Sequence, residues 1–299
     1  MKEKKAKIQG LALLSGGLDS ILAVKILQER GIEVTGLTFV SYFFGSGPAQ
    51  KAAKLLNIEL KTVDFSDQHL EIVKKPCYGH GKAMNPCIDC HLLMLKQAGE
   101  KMRKEKFDFV ATGEVLGERP MSQNKRALDL IEKESGLKGY LIRPLSAKLL
   151  EPTVLEKEGK IDREKLLDIS GRSRKRQMAL AKEYGIKDYP TPAGGCLLTD
   201  IQFGQRLKDM LKNWPDAKGS DVKLLRFGRH FWMDNNLIIV GRNKEDNDKI
   251  KELTQKGDVL IEPKEFPGPT ILIRSKGKIM EENLIQAKEL MIKYSPKAR

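Results

Sequence analysis

Leu11-Ala12-Leu13-Leu14-Ser15-Gly16-Gly17-Leu18-Asp19-Ser20 is the stretch whose reading decides the fold. The apolar run Leu11–Leu14 has the length of a buried strand. Beyond the stretch, Ile21, Val24 and Leu27 recur at helical spacing until Gly31 ends the pattern. A small glycine-rich turn between a strand and a helix N-terminus is an anion site, because backbone N–H groups point outward and the helix dipole adds positive potential. Gly16 and Gly17 let the backbone approach a phosphate, and Ser15 and Ser20 add hydroxyl donors. Asp19 fits such a site only with a cation such as Mg²⁺ between carboxylate and phosphate. The G-K-[ST] ending of a Walker A loop is absent. A strand–turn–helix corner that merely needs small residues is the competing reading.

Working outward, Glu33–Val40 reads as a second strand, Pro48–Asn57 as a helix and Lys61–Phe65 as a third strand. This β-α-β-α-β rhythm predicts an α/β fold with a doubly wound parallel sheet, whose ligands lie at the carboxyl ends of the strands. Residues 66–91 read as a long irregular segment, Leu92–Lys104 as a helix and Phe107–Ala111 as a strand. Met121–Glu134 reads as a helix and Tyr140–Leu145 as a strand. From about residue 150 the texture turns polar and helical, with Arg163–Ile169 and Ser173–Tyr184 helical and a loop over Tyr189–Cys196. Asp200–Asn213 is a helix, and Trp214–Gly219 reads as a boundary. The expected division is therefore 1–213 and 214–299. The second part reads as a small α+β domain: a hairpin of Lys223–Met233 with Leu237–Val240, a helix over 245–255, strands over 258–261 and 270–274, and a helix from about Met280 to Tyr294.

The 299 residues carry a net charge of +14. General Lys/Glu enrichment explains many charges but not this imbalance, which points to a polyanionic partner. The start, Met1-Lys2-Glu3-Lys4-Lys5, has no long apolar segment behind it, so it is not read as a signal peptide. No apolar run approaches the roughly 18 residues of a membrane span, so a cytoplasmic protein with no membrane partner is expected. Cys77, Cys87, Cys90 and Cys196 then suggest metal or redox chemistry rather than a disulfide framework.

The hexapeptide Ser15–Ser20 resembles the pyrophosphate loop (PP-loop) of the ATP pyrophosphatases, an adenine nucleotide alpha hydrolase-like fold that activates substrates by adenylation. Ala111-Thr112-Gly113-Glu114-Val115-Leu116-Gly117, with Met121-Ser122-Gln123 and Arg143-Pro144-Leu145, is similar to part of the bacterial tRNA 4-thiouridine synthetases. Asn85-Pro86-Cys87-Ile88-Asp89-Cys90, with Gly195-Cys196 about a hundred residues later, is similar to the paired catalytic positions of tRNA 2-thiouridylases. Many of those enzymes have Asp where this chain has Cys87. Three cysteines so arranged look like the iron–sulfur-dependent tRNA thiolation enzymes, which hold a [4Fe–4S] cluster through three thiolates. The stretch Val240–Asp248 resembles a motif of a small RNA-associated domain of ribosome quality-control factors.

These resemblances imply a tRNA thiouridine synthetase that uses ATP and Mg²⁺ to adenylate a uridine carbonyl oxygen and then replaces it with sulfur. Ser15, Gly16, Gly17, Asp19 and Ser20 would hold pyrophosphate, Asp19 through Mg²⁺. Phe39, near the end of the second strand, and Gly113, after the fourth, are at positions where this fold receives adenosine. Cys90 and Cys196 would deliver sulfur, and Arg172, Arg174, Lys175 and Arg176, the densest basic run, would meet tRNA phosphates. The alternative for that run is a solvated helix face.

For the cysteines four readings stand: a cluster on Cys87, Cys90 and Cys196; a persulfide on Cys90 or Cys196 resolved by the other; a Zn²⁺ held by all four; or inert thiols. Cys77 is a fourth ligand, a spare or a sulfur relay. His80 and His91 are candidate ligands, and His69 and His230 are read as structural. The sulfur donor is open among sulfide, a cysteine desulfurase and a sulfur carrier, and an oligomer is compatible with the sequence. Two other function classes compete: a PP-loop enzyme adenylating a small molecule, of amidating or nitrile-synthase type with structural zinc, and a non-catalytic RNA-binding protein.

Overall fold

The computed structural model describes residues 7–190, 195–263 and 267–295. The charged start and residues 191–194 of the loop read over Tyr189–Cys196 lie outside the described residues. By internal packing the chain forms two compact units, one of Met1–Gly81 with Asn85–Cys196 and one of Lys82–Met84 with Leu197–Arg299.

The first unit runs β1 (Gln9–Leu13), α1 (Leu18–Gln28), β2 (Glu33–Val40), α2 (Gly47–Leu56), β3 (Leu60–Asp64), α3 (Ser66–Lys74), α4 (Cys87–Glu105), β4 (Phe109–Ala111), α5 (Lys125–Glu134), β5 (Leu141–Ile142), α6 (Val154–Lys157) and α7 (Lys175–Glu183). Its five strands pair in the order β3-β2-β1-β4-β5. All four pairings are parallel, with Leu11 opposite Thr35 on one side and Val110 on the other. Successive side chains feed opposite layers, as the two-residue period of a strand requires. Ala12, Phe109 and Ala111 pack with α1 and α2, whereas Leu11, Leu37, Val110 and Leu141 pack with Leu95, Ala98 and Met102 of α4. The sheet is thus apolar on both faces, as a doubly wound fold demands. The strand order reverses between β1 and β4, which makes the crevice at their carboxyl ends the expected ligand site.

The segment read as irregular over 66–91 contains α3 and the first turn of α4. The α3 pattern is carried by buried His69, Leu70 and Val73, and α4 begins at Cys87 rather than at Leu92. Two cysteines therefore sit on a helix N-terminus.

The second unit contains α8 (Ile201–Asn213), α9 (Gly219–Leu224), β6 (Arg229–Met233), β7 (Asn236–Val240), α10 (Lys244–Glu252), β8 (Val259–Ile261), β9 (Ile271–Ser275) and α11 (Glu281–Lys293). Its sheet has the order β6-β7-β9-β8 with every pairing antiparallel. Ile238, Val240, Ile271 and Ile273 of the sheet pack against Ala287, Leu290 and Met291 of α11. Helix α8, grouped with the first domain on sequence grounds, lies inside this unit. Lys223 and Leu224, read as the start of a hairpin strand, close helix α9, and the strand starts at Arg229.

Candidate active site

The turn after β1 has a conformation that only glycine adopts easily. Gly16 has φ +82°, and a Cβ there would lie 2.3 Å from the carbonyl carbon of Pro48. Hydroxyls brace the turn: Gly17 N–H donates to Ser15 Oγ (3.2 Å), Ser15 Oγ lies 3.3 Å from Ser20 Oγ, and Ser20 Oγ donates to the Gly17 carbonyl (2.8 Å). Gly17 is the N-cap of α1 and supplies no side-chain acceptor. The first-turn N–H groups of α1 are therefore left for an anion.

Asp19 lies in that first turn, and its Oδ1 is buried with no hydrogen-bond partner. Burial pushes its carboxyl above the usual aspartate range, and the Arg174 and Arg119 guanidiniums only partly offset this. Glu118 is likewise pushed up, first by burial and then by the Asp19 charge. Two buried carboxylates, one with an orphan oxygen, are a donor set that fits a hard divalent cation.

Gly113 follows β4, and a Cβ there would lie 2.5 Å from both the Asp19 carbonyl carbon and Ser20 N. The turn after β4 thus rests directly on the phosphate loop, and a side chain at 113 would separate them. The ring of Phe39 is 5% exposed and packs on Phe65 at 5.2 Å between centroids. It belongs to the core, so the end of β2, not the ring, is what a ligand could meet.

Segment 169–174 is tied to the same turn. Ser146 Oγ accepts from Leu116 N–H (3.0 Å) and donates to the Ile169 carbonyl (2.6 Å), and Gly171 N–H donates to the Leu116 carbonyl (2.7 Å). Helix α7 then runs alongside α1, with Tyr184 hydroxyl on Glu29 (2.9 Å) near their carboxyl ends. Their N-termini consequently share one end. This divides the basic run. Arg174 is near Asp19, with a buried unpartnered Nε. Arg176 pairs with exposed Asp168 (2.7 Å), while Arg172 and Lys175 are exposed. Gln177 is fully buried, and its amide stands beside the Asp19 carboxylate, which it helps to keep ionised.

The cysteines converge from two segments. Cys87 opens α4 and accepts a hydrogen bond from Asn85 Nδ2 (3.1 Å). Cys90, one turn on, is 9% exposed. Burial pushes its thiol well above the usual range, and the neighbouring Cys196, Cys87 and Asp89 add to that push. Cys87 and Cys196 therefore lie within electrostatic reach of Cys90. Cys77 is exposed, but its segment is pinned to the same helix turn. The Asp89 carboxylate accepts from Cys77 N–H (2.9 Å) and Tyr78 N–H (3.1 Å). Among the described residues no disulfide joins the cysteines. Among the described residues, no three His, Cys, Asp or Glu side chains are grouped to hold a metal ion. A metal group would have to draw the three thiols closer.

Of the histidines, His80 Nε2 lies 2.9 Å from the Val73 carbonyl, and His91 Nδ1 lies 2.9 Å from Glu114 Oε1. His69 is fully buried, stacked on Phe65, and burial lowers its pKa to about 4. His230 is lowered to about 4 by burial as well.

Sequence reasoning assigned no role to the ion pairs beside this site. Glu114 and Arg143 are 6% and 3% exposed. Arg143 Nε donates to Glu114 (2.9 Å) and its Nη1 to Glu132 (2.7 Å). Burial alone would raise the Glu114 carboxyl, but Arg143 and His91 more than offset it, and its pKa falls to about 2. Removing one member of a buried pair typically costs about 3–5 kcal/mol. The signal in the sequence was Thr112-Gly113-Glu114 and Arg143-Pro144-Leu145, two stretches that looked alike in family but not in contact.

A parallel α/β sheet with a glycine loop after its first strand and a carboxylate in the first turn of the helix that follows has the architecture of the PP-loop class. Residues 6–149 match the family model of the thiamine biosynthesis protein ThiI, and residues 228–299 match that of the NFACT protein RNA binding domain. The chain is thus similar to ThiI-family domains in its first part and to NFACT-type RNA-binding domains in its last part. It is 36% identical over 118 residues to a tRNA-specific 2-thiouridylase MnmA of Sulfurimonas denitrificans, a match covering 34% of this chain and 33% of that protein. It is 32% identical over 143 residues to a probable tRNA sulfurtransferase of Finegoldia magna, covering 46% of this chain and 36% of that protein. The chain thus spans about a third of the length of these two relatives. A crystal structure of a 4-thiouridine synthetase–RNA complex with bound ATP is 18% identical, with a TM-score of 0.41 over 69% of this chain and 51% of that one.

Proposed function

We propose that this protein is an ATP-dependent tRNA sulfurtransferase that adenylates a uridine carbonyl oxygen and replaces it with sulfur. The observation that carries this reading is the turn Thr112–Glu114. Gly113 lies on the phosphate loop, and Glu114 holds His91, the neighbour of Cys90. This link between the glycine loop and the first turn of α4 supports a reading in which nucleotide activation and sulfur delivery act on one substrate.

Carbonyl oxygen is a poor leaving group, and adenylation converts it to AMP. The base oxygen attacks the α-phosphate, and pyrophosphate leaves into the cradle of Ser15, Gly16, Gly17 and Ser20. Charge stabilisation and alignment supply most of the rate in such chemistry. Asp19, with its orphan oxygen, would hold Mg²⁺ against the departing phosphates. Sulfur from the cysteine site then attacks the activated carbon and AMP departs. Cys87, Cys90 and Cys196 would hold a [4Fe–4S] cluster, and the crowding of thiols around Cys90 is the observation that fits it. Such a cluster, when bound, supplies a site at which inorganic sulfur is kept reactive. The sulfur donor is sulfide, a desulfurase or a sulfur carrier. The target nucleotide must leave its stack to reach the site.

The RNA-binding-type domain and the +14 charge support tRNA as the substrate, in a cytoplasmic setting. No helix among the described residues is long and apolar enough to cross a membrane. Pyrophosphate release from ATP tests the reading: release stimulated by bulk tRNA supports it. Release with a small metabolite alone supports the amidating or nitrile-synthase class, and no release supports a non-catalytic RNA-binding protein.

For the basic run, Arg172→Ala, Lys175→Ala and Arg176→Ala are each expected to lower the log–log salt slope of tRNA binding by about one unit, as loss of one phosphate contact does. Filter binding across a salt series measures this. An unchanged slope in the triple variant would make the run a solvated helix face. Arg174→Ala, placed beside Asp19, is expected to impair use of ATP as well.

A further inference from the structure

Glu114 is an unusual residue for the carboxyl end of a strand that faces a phosphate loop. A buried carboxylate there repels the substrate's phosphates and is costly unless it is paired. It is fully paired: Thr112 Oγ1 (3.0 Å), Arg143 Nε (2.9 Å) and His91 Nδ1 (2.9 Å) surround it. An ionised carboxylate only accepts, so the Nδ1–H of His91 is the donor and the ring is fixed. Arg143 is anchored from behind by Glu132 (2.7 Å) and the Leu128 carbonyl (3.2 Å) of α5. One residue before Glu114, Gly113 is pressed on Asp19 and Ser20. One residue before His91 is Cys90. The path from phosphate loop to thiol is therefore Asp19–Gly113–Glu114–His91–Cys90, made of one backbone contact, one hydrogen bond and two peptide links.

We propose, building on the sulfurtransferase reading, that Glu114 is a positioning residue: through His91 it fixes the first turn of the cysteine helix against the phosphate loop, so that sulfur reaches the adenylated base before water. The adenylated carbon has two fates. With hydrosulfide as sulfur source, a C–S bond forms, the C–O bond to AMP breaks and the proton goes to solvent, giving thiouridine. With water, a C–O bond forms, the bond to AMP breaks, the protons go to solvent and uridine returns. No atom of the base or phosphate changes oxidation state in either case. The nucleophile's placement decides the partition, and a misplacement of about 1 Å can cost on the order of a hundredfold.

The test is the amount of AMP released per thiouridine formed, measured on the full chain with ATP, tRNA and sodium sulfide. Wild type is expected near one. Glu114→Gln and His91→Ala are expected to raise the ratio about tenfold or more while pyrophosphate release continues. Glu132→Gln alters one of the two α5 contacts of Arg143 and leaves the Leu128 carbonyl bond and every contact of His91 in place, so its ratio is expected to stay at the wild-type value. His91→Ala leaves the Glu114–Arg143 pair intact, so it decides the matter even if Glu114→Gln does not fold. A second readout needs no turnover: amide exchange over residues 87–91 should quicken in His91→Ala and not in Glu132→Gln. Unchanged ratios in Glu114→Gln and His91→Ala, or an equal rise in Glu132→Gln, would overturn the role alone. Wild type with no tRNA-stimulated release would overturn the reaction and this role with it.

Discussion

Asp19→Ala is expected to abolish ATP-dependent activation, lowering tRNA-stimulated pyrophosphate release on the order of a hundredfold or more, the scale at which loss of one charge-stabilising group acts. Affinity for tRNA is expected to stay near the wild-type value, because Asp19 is a half-buried carboxylate in the first turn of α1 and offers RNA phosphates only repulsion. The physical basis is an oxygen with no partner in a site whose burial already disfavours its charge. Only a cation makes a carboxylate useful there. The sign of the pH dependence follows: the raised carboxyl takes up a proton more readily than an ordinary aspartate, so the Mg²⁺ concentration needed for half activity should rise as pH falls. Normal turnover in Asp19→Ala would remove the PP-loop assignment. A Mg²⁺ requirement flat with pH would remove the metal role of this residue.

The second large effect concerns the thiols. Anaerobically purified protein is expected to be brown, with about four irons per chain, and Cys87→Ala, Cys90→Ala and Cys196→Ala should each lose iron and sulfur transfer together. Two thiols suffice for a persulfide route, in which one carries sulfur and the other resolves it, so such a route would tolerate loss of Cys87. Cys90 explains why a metal group is favoured. Its thiol is pushed well up by burial and by the neighbouring Cys196 and Cys87, so in the protein alone it is a poor nucleophile. Positive charge at the site would reverse that. Cys77→Ala should be milder, since the Asp89 carboxylate holds its backbone and not its sulfur. Iron analysis and thiolation assays on the four variants after anaerobic reconstitution separate the cases. Full activity in iron-free protein would favour the persulfide route, and stoichiometric zinc with Cys77 as essential as the rest would make the site structural.

The parts of this architecture that depend on local pattern were legible in the residues. The strand Gln9–Leu13, the glycine turn and the apolar face of α1 follow one another along the chain, and so do the next two strands. The start of α4 was less so, because Pro86 and two cysteines look like loop and the helix signal strengthens only after them. The α3 segment was hidden because charged and glycine-rich neighbours surround its buried His69, Leu70 and Val73. What no local pattern carries is pairing at a distance. Glu114 and Arg143 are 29 residues apart and meet only because β4 and β5 are neighbours in register. Arg174 read as one charge in a basic run, and the parallel packing of α7 on α1 is what brings it to Asp19. Conversely, Phe39 was placed correctly at a strand end, yet its ring is spent on the core.

The central claim is chemical, and nucleoside mass spectrometry addresses it most directly. Total tRNA from cells with and without this protein is digested to nucleosides and compared. A thiouridine present with the protein, missing without it and restored by wild type but not by Asp19→Ala is the predicted result. Identical thiouridine content in the two tRNA pools would contradict the account.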